Sequence, residues 1–142
     1  MLVLEEEPQV GKVVFKNSVA VMEELPLLEG YLITIRGELT LADYKEIYPK
    51  ALEIMLETGW KNLVFNMLEM TKDDMQGRAW YMRQHLPEVF KKIGDGFRAG
   101  VIQPTSSFQR FALGIVIKGI RATGRKVEIK FFDTEKEAMA WI

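Results

Sequence analysis

Four times in this chain a Ser or Thr is followed three residues later by an acid or Gln: Thr40/Asp43, Thr71/Asp74, Ser106/Gln109 and Thr134/Glu137. In each, the hydroxyl can accept from the amide three residues on while that residue's side chain reaches back, which starts a helix. Glycines at Gly59, Gly94 and Gly124 then stand where the first three helices should stop, because glycine takes the left-handed cap without steric cost. The spacing predicts helices over 41–58, 73–93, 106–123 and 134–142.

Short apolar segments fill the gaps. Residues 31–36, 62–67 and 98–103 are rich in β-branched and apolar side chains, as strands covered on both faces should be. Residues 126–132 alternate, with Val127, Ile129 and Phe131 set against Glu128 and Lys130, which suits an edge strand with one wet face. Ahead of these, 12–15 and 19–22 flank Lys16-Asn17-Ser18 as a β-hairpin. Strands alternating with helices of this length demand right-handed crossovers and a mostly parallel sheet. We read one α/β domain over 1–142, with an N-terminal antiparallel hairpin at about 10–23 and a βαβαβαβα core at about 30–142.

Composition excludes several classes of chemistry. With no cysteine among 142 residues there are no disulfides, thiolate nucleophiles or Cys-type metal sites, and one histidine, His85, argues against a His-based metal centre. Neither a cofactor nor a metal is expected. Lys plus Arg number 19 against 20 Asp plus Glu, so charge gives no reason to expect nucleic acid. Acids at Glu5, Glu6 and Glu7 stand where a signal peptide would carry bases, and no apolar run approaches the ~20 residues of a membrane span. The expectation is a cytoplasmic protein without a transmembrane segment.

Three stretches bear a family likeness: Leu63–Met67; Leu86–Phe90 through Gly94 into Ala99–Ile102; and Phe132–Asp133 with Glu137–Ile142. Over roughly residues 30–142 the chain resembles the STAS/SEC14-like group, often called SpoIIAA-like, which includes bacterial anti-sigma-factor antagonists. The resemblance implies a four- or five-stranded sheet with helices packed around it. Phosphorylatable antagonists of that group carry Asp-Ser-Ser/Thr-Gly at the start of the helix after the second core strand. Here the matching positions read Asp74-Met75-Gln76-Gly77, so both hydroxyls are absent and a phospho-switch at that place has no acceptor.

The remaining candidates each carry a bland reading beside a functional one. His85 lies one position from an apolar stripe of Met75, Ala79, Met82, Leu86, Phe90 and Ile93. It reads as a boundary histidine, or as a general base for which no nucleophile is in sight. Pro87 should kink or split its helix. Asp73 and Asp74 are adjacent and splay on a helix, so they favour the positive end of the helix dipole and are no facing carboxylate pair. Ser106 opens the third helix, as a cap or as part of an anion site.

On that third helix Phe108, Phe111, Ala112, Ile115, Val116, Gly119 and Ile120 form the predicted core stripe. Leu113 and Ile117 widen the apolar surface, and with Lys118 and Arg121 they make a candidate interaction face, most simply for a homodimer. Met67, Met70, Met75 and Trp80, together with Ser106, Phe108 and Phe111, form a candidate lipophilic pocket; the same methionines also serve as core filler. The expected function is a non-enzymatic binding or regulatory module for a small apolar molecule, lipid-type by the SEC14-like resemblance. The alternative is a constitutive protein-interaction module similar to the antagonists.

Overall fold

Chain order becomes spatial order in the sheet. The computed structural model describes residues 10–142, so the acidic segment before Val10 lies outside the described residues. Six strands, β1 (Val13–Lys16), β2 (Ala20–Leu25), β3 (Gly30–Leu39), β4 (Asn62–Asp73), β5 (Phe97–Ile102) and β6 (Val127–Phe132), lie side by side in that order. The first three pair antiparallel, and β3 to β6 pair parallel. The predicted hairpin turns at Asn17, whose side-chain oxygen accepts from the amides of Val19 and Ala20 at 2.9 and 2.8 Å.

Each parallel pair is joined by a helical crossover: α1 (Leu41–Thr58), then α2 (Met75–Trp80) and α3 (Leu86–Lys92) as two halves of one broken helix, then α4 (Ser107–Ala122). Right-handed crossovers between successive neighbours carry every connecting helix to the same face. That face holds the larger core, with Tyr31, Ile33, Leu63, Val101, Tyr48, Phe90 and Ile120 buried together. The opposite face is covered by α5 (Glu135–Trp141) and the short turn Pro26–Leu28, over a smaller core around Leu32, Val64, Ile102 and Met139.

Helix starts agree with the capping pattern at three of the four predicted places. The Thr40/Asp43 box is complete, and Ser106 and Thr134 accept from the amides of Gln109 and Glu137. Gly59, Gly94 and Gly124 all take positive φ. The exception is Thr71, which is not a cap. β4 runs six residues past its predicted end, paired to the extension of β3 through Arg36–Glu69, Gly37–Met70 and Leu39–Asp73. Leu39 and Met70 are buried there, and the exposed pairs Arg36–Glu69 and Glu38–Lys72 bridge the strands. Pairing with β3, with Met67 and Met70 buried, thus extends the strand over a segment that reads locally as a helix start. Asp74 becomes the cap, accepting from the Gln76 amide at 2.7 Å, and Asp73 stays on the strand.

The helix break predicted at Pro87 is a π turn over Tyr81–His85. Pro87 has no amide to offer the Arg83 carbonyl, and its ring crowds that carbonyl. The turn before it widens, with the Leu86 amide reaching the Tyr81 carbonyl five residues back. The wider turn lets His85 and Leu86 both face the core, so His85 is buried and is not at the boundary.

Candidate functional site

The layer between the sheet and its three covering helices is incompletely filled. A cavity of about 150 Å³ lies there, walled by the sheet face, α1, the broken helix and α4. Toward the amino ends of the strands its walls are apolar, from Leu63, Phe97, Val127, Met55, Phe90 and Ile120. Toward the carboxyl ends, where open α/β sheets bind ligands, they include Tyr44, Tyr48, Asp73, Arg78, Tyr81 and His85.

This polar end is a connected cluster. Asp73, from the end of β4, accepts from the Tyr44 hydroxyl of α1 at 2.5 Å and from Arg78 Nη1 of α2 at 3.0 Å. Arg78 Nη1 also donates to the Asp73 backbone carbonyl at 2.9 Å. The two charged side chains are 7% and 16% exposed, which makes this the one well-buried ion pair among those of the described residues. Burial pushes the Asp73 carboxyl up from its ordinary range more strongly than Tyr44 and Arg78 pull it down. Gly77 lets α1 and α2 close around the cluster, since a Cβ at that position would overlap the Tyr44 ring.

Next to the ion pair stands a nest of rings. Tyr48 meets Tyr44 at 5.3 Å and Tyr81 edge-on at 4.8 Å between centroids. His85 lies 5.6 Å from Tyr48 and 5.4 Å from Tyr81, and stacks on Trp80 at 5.5 Å. Burial drives the His85 pKa down to about 4, against a weaker upward pull from Glu88. Burial alone lifts Tyr81 to about 12, and Tyr48 rises well above its ordinary value, first by burial and then through Tyr81 and Asp73. At neutral pH the imidazole and the phenols are therefore uncharged.

The candidate ligand residues separate. Met67 and Met70 line the cavity. Trp80 is half-buried behind His85, and Ser106 serves as the cap of α4. Met75, Phe108 and Phe111 lie outside, 72%, 66% and 69% exposed. The predicted core stripe of α4 holds in part, with Ala112, Val116 and Ile120 on the inner side. Phe108, Phe111 and Ile115 turn to solvent, whereas Leu113 and Ile117, the candidate interaction face, turn inward onto the cavity with Val116 and Ile120. Lys118 and Arg121 are exposed. Gly119 sits against Met82 of the broken helix, where a Cβ would come within 2.6 Å of the Met82 methyl.

Arg78, Tyr44, Tyr48 and Tyr81 escape the sequence reading, and Asp73 reads there only as an acid at a helix start, because the five come from separate elements spread over residues 44–81. The local signals were the doubled Asp73-Asp74, of which only one can cap, and the cation of Arg78 on a helix with so many apolar neighbours.

A family model described as SpoIIAA-like matches residues 31–142. The chain belongs to the SpoIIAA-like family. Its fold is similar to that of the anti-sigma-factor antagonist SpoIIAA in its unphosphorylated form, at TM-score 0.53 and 15% identity, over 86% of this chain and 96% of that one. It is also similar to an uncharacterised protein with a SpoIIAA-like fold from Shewanella loihica, at TM-score 0.53 and 19% identity, over 96% and 97% of the two chains. At these identities the likeness is one of fold. No curated protein matches the sequence. In this SpoIIAA-like chain the segment Asp74–Gly77 forms the cap and first turn of α2, with Met75 and Gln76 pointing to solvent. Among the described residues no helix is long and apolar enough to cross a membrane, and no group of acids and histidine could hold a metal ion.

Proposed function

We propose that this SpoIIAA-like protein is a non-enzymatic, cytoplasmic binding module that encloses a small, mostly apolar molecule between its sheet and its covering helices. The observation that carries the reading is the cavity, apolar along its length and closed at one end by a buried polar cluster. Well-packed interiors have few voids larger than a water molecule, so a void of about 150 Å³ with this asymmetry supports a site for an occupant. Its size suits a single ring or a short branched chain, since an apolar cavity of about 150 Å³ takes a benzene-sized guest. Typical drug-sized sites span about 300–1,000 Å³. A long-chain lipid would therefore require the helices to move apart, and the π turn at Tyr81–His85 is where the regular helical hydrogen bonding of that layer is interrupted.

A second reading, a constitutive protein-interaction module that pairs with itself or with another protein, is favoured by the outward stripe of Phe108, Phe111 and Ile115 on α4. Similarity in fold to an anti-sigma-factor antagonist supports it further, while Met75 and Gln76 leave such a module without a phosphoryl acceptor at that place.

Native mass spectrometry of the protein purified from its own host distinguishes the two. A constant small mass that departs on denaturation is expected for the binding module. A bare mass at dimer stoichiometry would move the reading to the interaction module.

A further inference from the structure

We infer that the molecule taken into the cavity is uncharged, with an apolar body ending in one neutral hydrogen-bonding group such as a hydroxyl, phenol or amide. This rests on the reading of the cavity as a ligand site and adds the chemical class.

The first ground is that the cavity's fixed charges are already matched. Asp73 and Arg78 are the oppositely charged residues of its wall, 3.0 Å apart. One Asp73 oxygen is held by Arg78 and the other by Tyr44. Arg78 Nη1 is shared between that carboxylate and the Asp73 carbonyl. A carboxylate guest would have to draw Arg78 away, and an ammonium guest would have to compete with it for Asp73. Either exchange leaves a buried charge without its partner, which weakens binding by more than about 100-fold.

The second ground is what remains unused. Tyr48, Tyr81 and His85 line the cavity, and no hydrogen bond joins their hydroxyls or imidazole to another group among the described residues. Tyr48 and His85 are buried and Tyr81 half-buried, so these three are the wall groups with hydrogen-bonding capacity left for a guest. All are neutral at physiological pH, because burial holds His85 at about 4 and Tyr81 at about 12. Neutral groups that both donate and accept suit a neutral polar end. The other walls are apolar and ask for an apolar body.

The test uses three probes with one ring and different ends: benzyl alcohol, benzoate and benzylammonium, titrated at pH 7.5 into the isotope-labelled full chain and followed by backbone amide shifts. Benzyl alcohol should give saturable shifts along α1 and the π turn, with the two ions at least tenfold weaker. Binding of either ion as tight as the alcohol would overturn the inference and leave the cavity reading standing. Absence of saturable binding by all three would sink the cavity reading itself. Tyr81→Phe and Tyr48→Phe keep the rings and remove the hydroxyls. One or both should weaken benzyl alcohol by about two- to tenfold and leave toluene unchanged. If neither does so, the hydrogen-bonding part of the inference is wrong.

Discussion

His85 carries a pH dependence that its surroundings make calculable. Stacked on Trp80 and enclosed by Tyr48 and Tyr81, it titrates in the folded protein near 4, and in the unfolded chain near the ordinary 6.5. Between those values the unfolded state binds the proton and the folded state refuses it, so stability falls as pH drops from about 6.5 to about 4 and is level in this group outside that window. From pH 7 to pH 5 the loss amounts to about 2 kcal/mol. Asp73 works the other way, since a carboxyl raised by burial favours folding as the medium becomes more acid. The comparison of wild type with His85→Phe isolates the histidine. Urea midpoints at pH 7 and pH 5 should fall much further in the wild type than in the variant, and equal falls would mean that the imidazole is not shielded as the rings imply. The position of His85 in the sequence gave only its nearness to an apolar stripe. Its burial follows from an extra residue taken up by the π turn, and a regular helical period does not contain that residue.

At the scale of elements, α4 shows where such periodicity succeeds and where it stops. Its boundaries were legible to within a residue, because a Ser cap and a Gly stop are local chemistry. Its rotation was not. The helix is apolar on two faces, and the larger aromatic residues, Phe108 and Phe111, belong to the outer one. Counting apolar side chains therefore draws Phe108, Phe111 and Ile115 into the predicted stripe, whereas Ala112, Val116 and Ile120 face inward with Leu113 and Ile117 beside them. Two substitutions put this to the test. Phe111→Glu, at a site 69% exposed, should change unfolding free energy by no more than about 0.5 kcal/mol. Ile117→Ala, at 5% exposed, should cost about 2–5 kcal/mol. Chemical denaturation of the purified variants reads both, and the reverse ranking would restore the stripe that the sequence suggests. The same limit explains β4, where Thr71 and Asp74 match a helix start in isolation but sit beside a neighbouring strand that offers pairing as far as Asp73.

For the whole molecule, class and element order follow from the alternation of strands with capped helices, while lateral strand order does not, since side-chain periodicity carries no record of which strand lies beside which. The sequential order found here has a consequence for stability. Three helices crowd one face of the sheet and meet over a void of about 150 Å³. At about 24 cal/mol for each Å³, a void of that size forgoes about 3–4 kcal/mol of folding free energy. A chain under selection for stability alone has simple remedies for this, and Val116, half-buried on α4 at the cavity wall, is one place to apply them. Val116→Phe places a ring in the void and should raise stability by about 1 kcal/mol, some 4 °C in the thermal midpoint for a domain of this size. It should also abolish the amide shifts produced by benzyl alcohol, since filler and guest compete for one space. A variant that is more stable yet still binds would locate the guest elsewhere. A less stable variant that still binds would mean that residue 116 does not face the void. Gain of stability together with loss of binding is the outcome that ties the empty volume to use and not to poor packing.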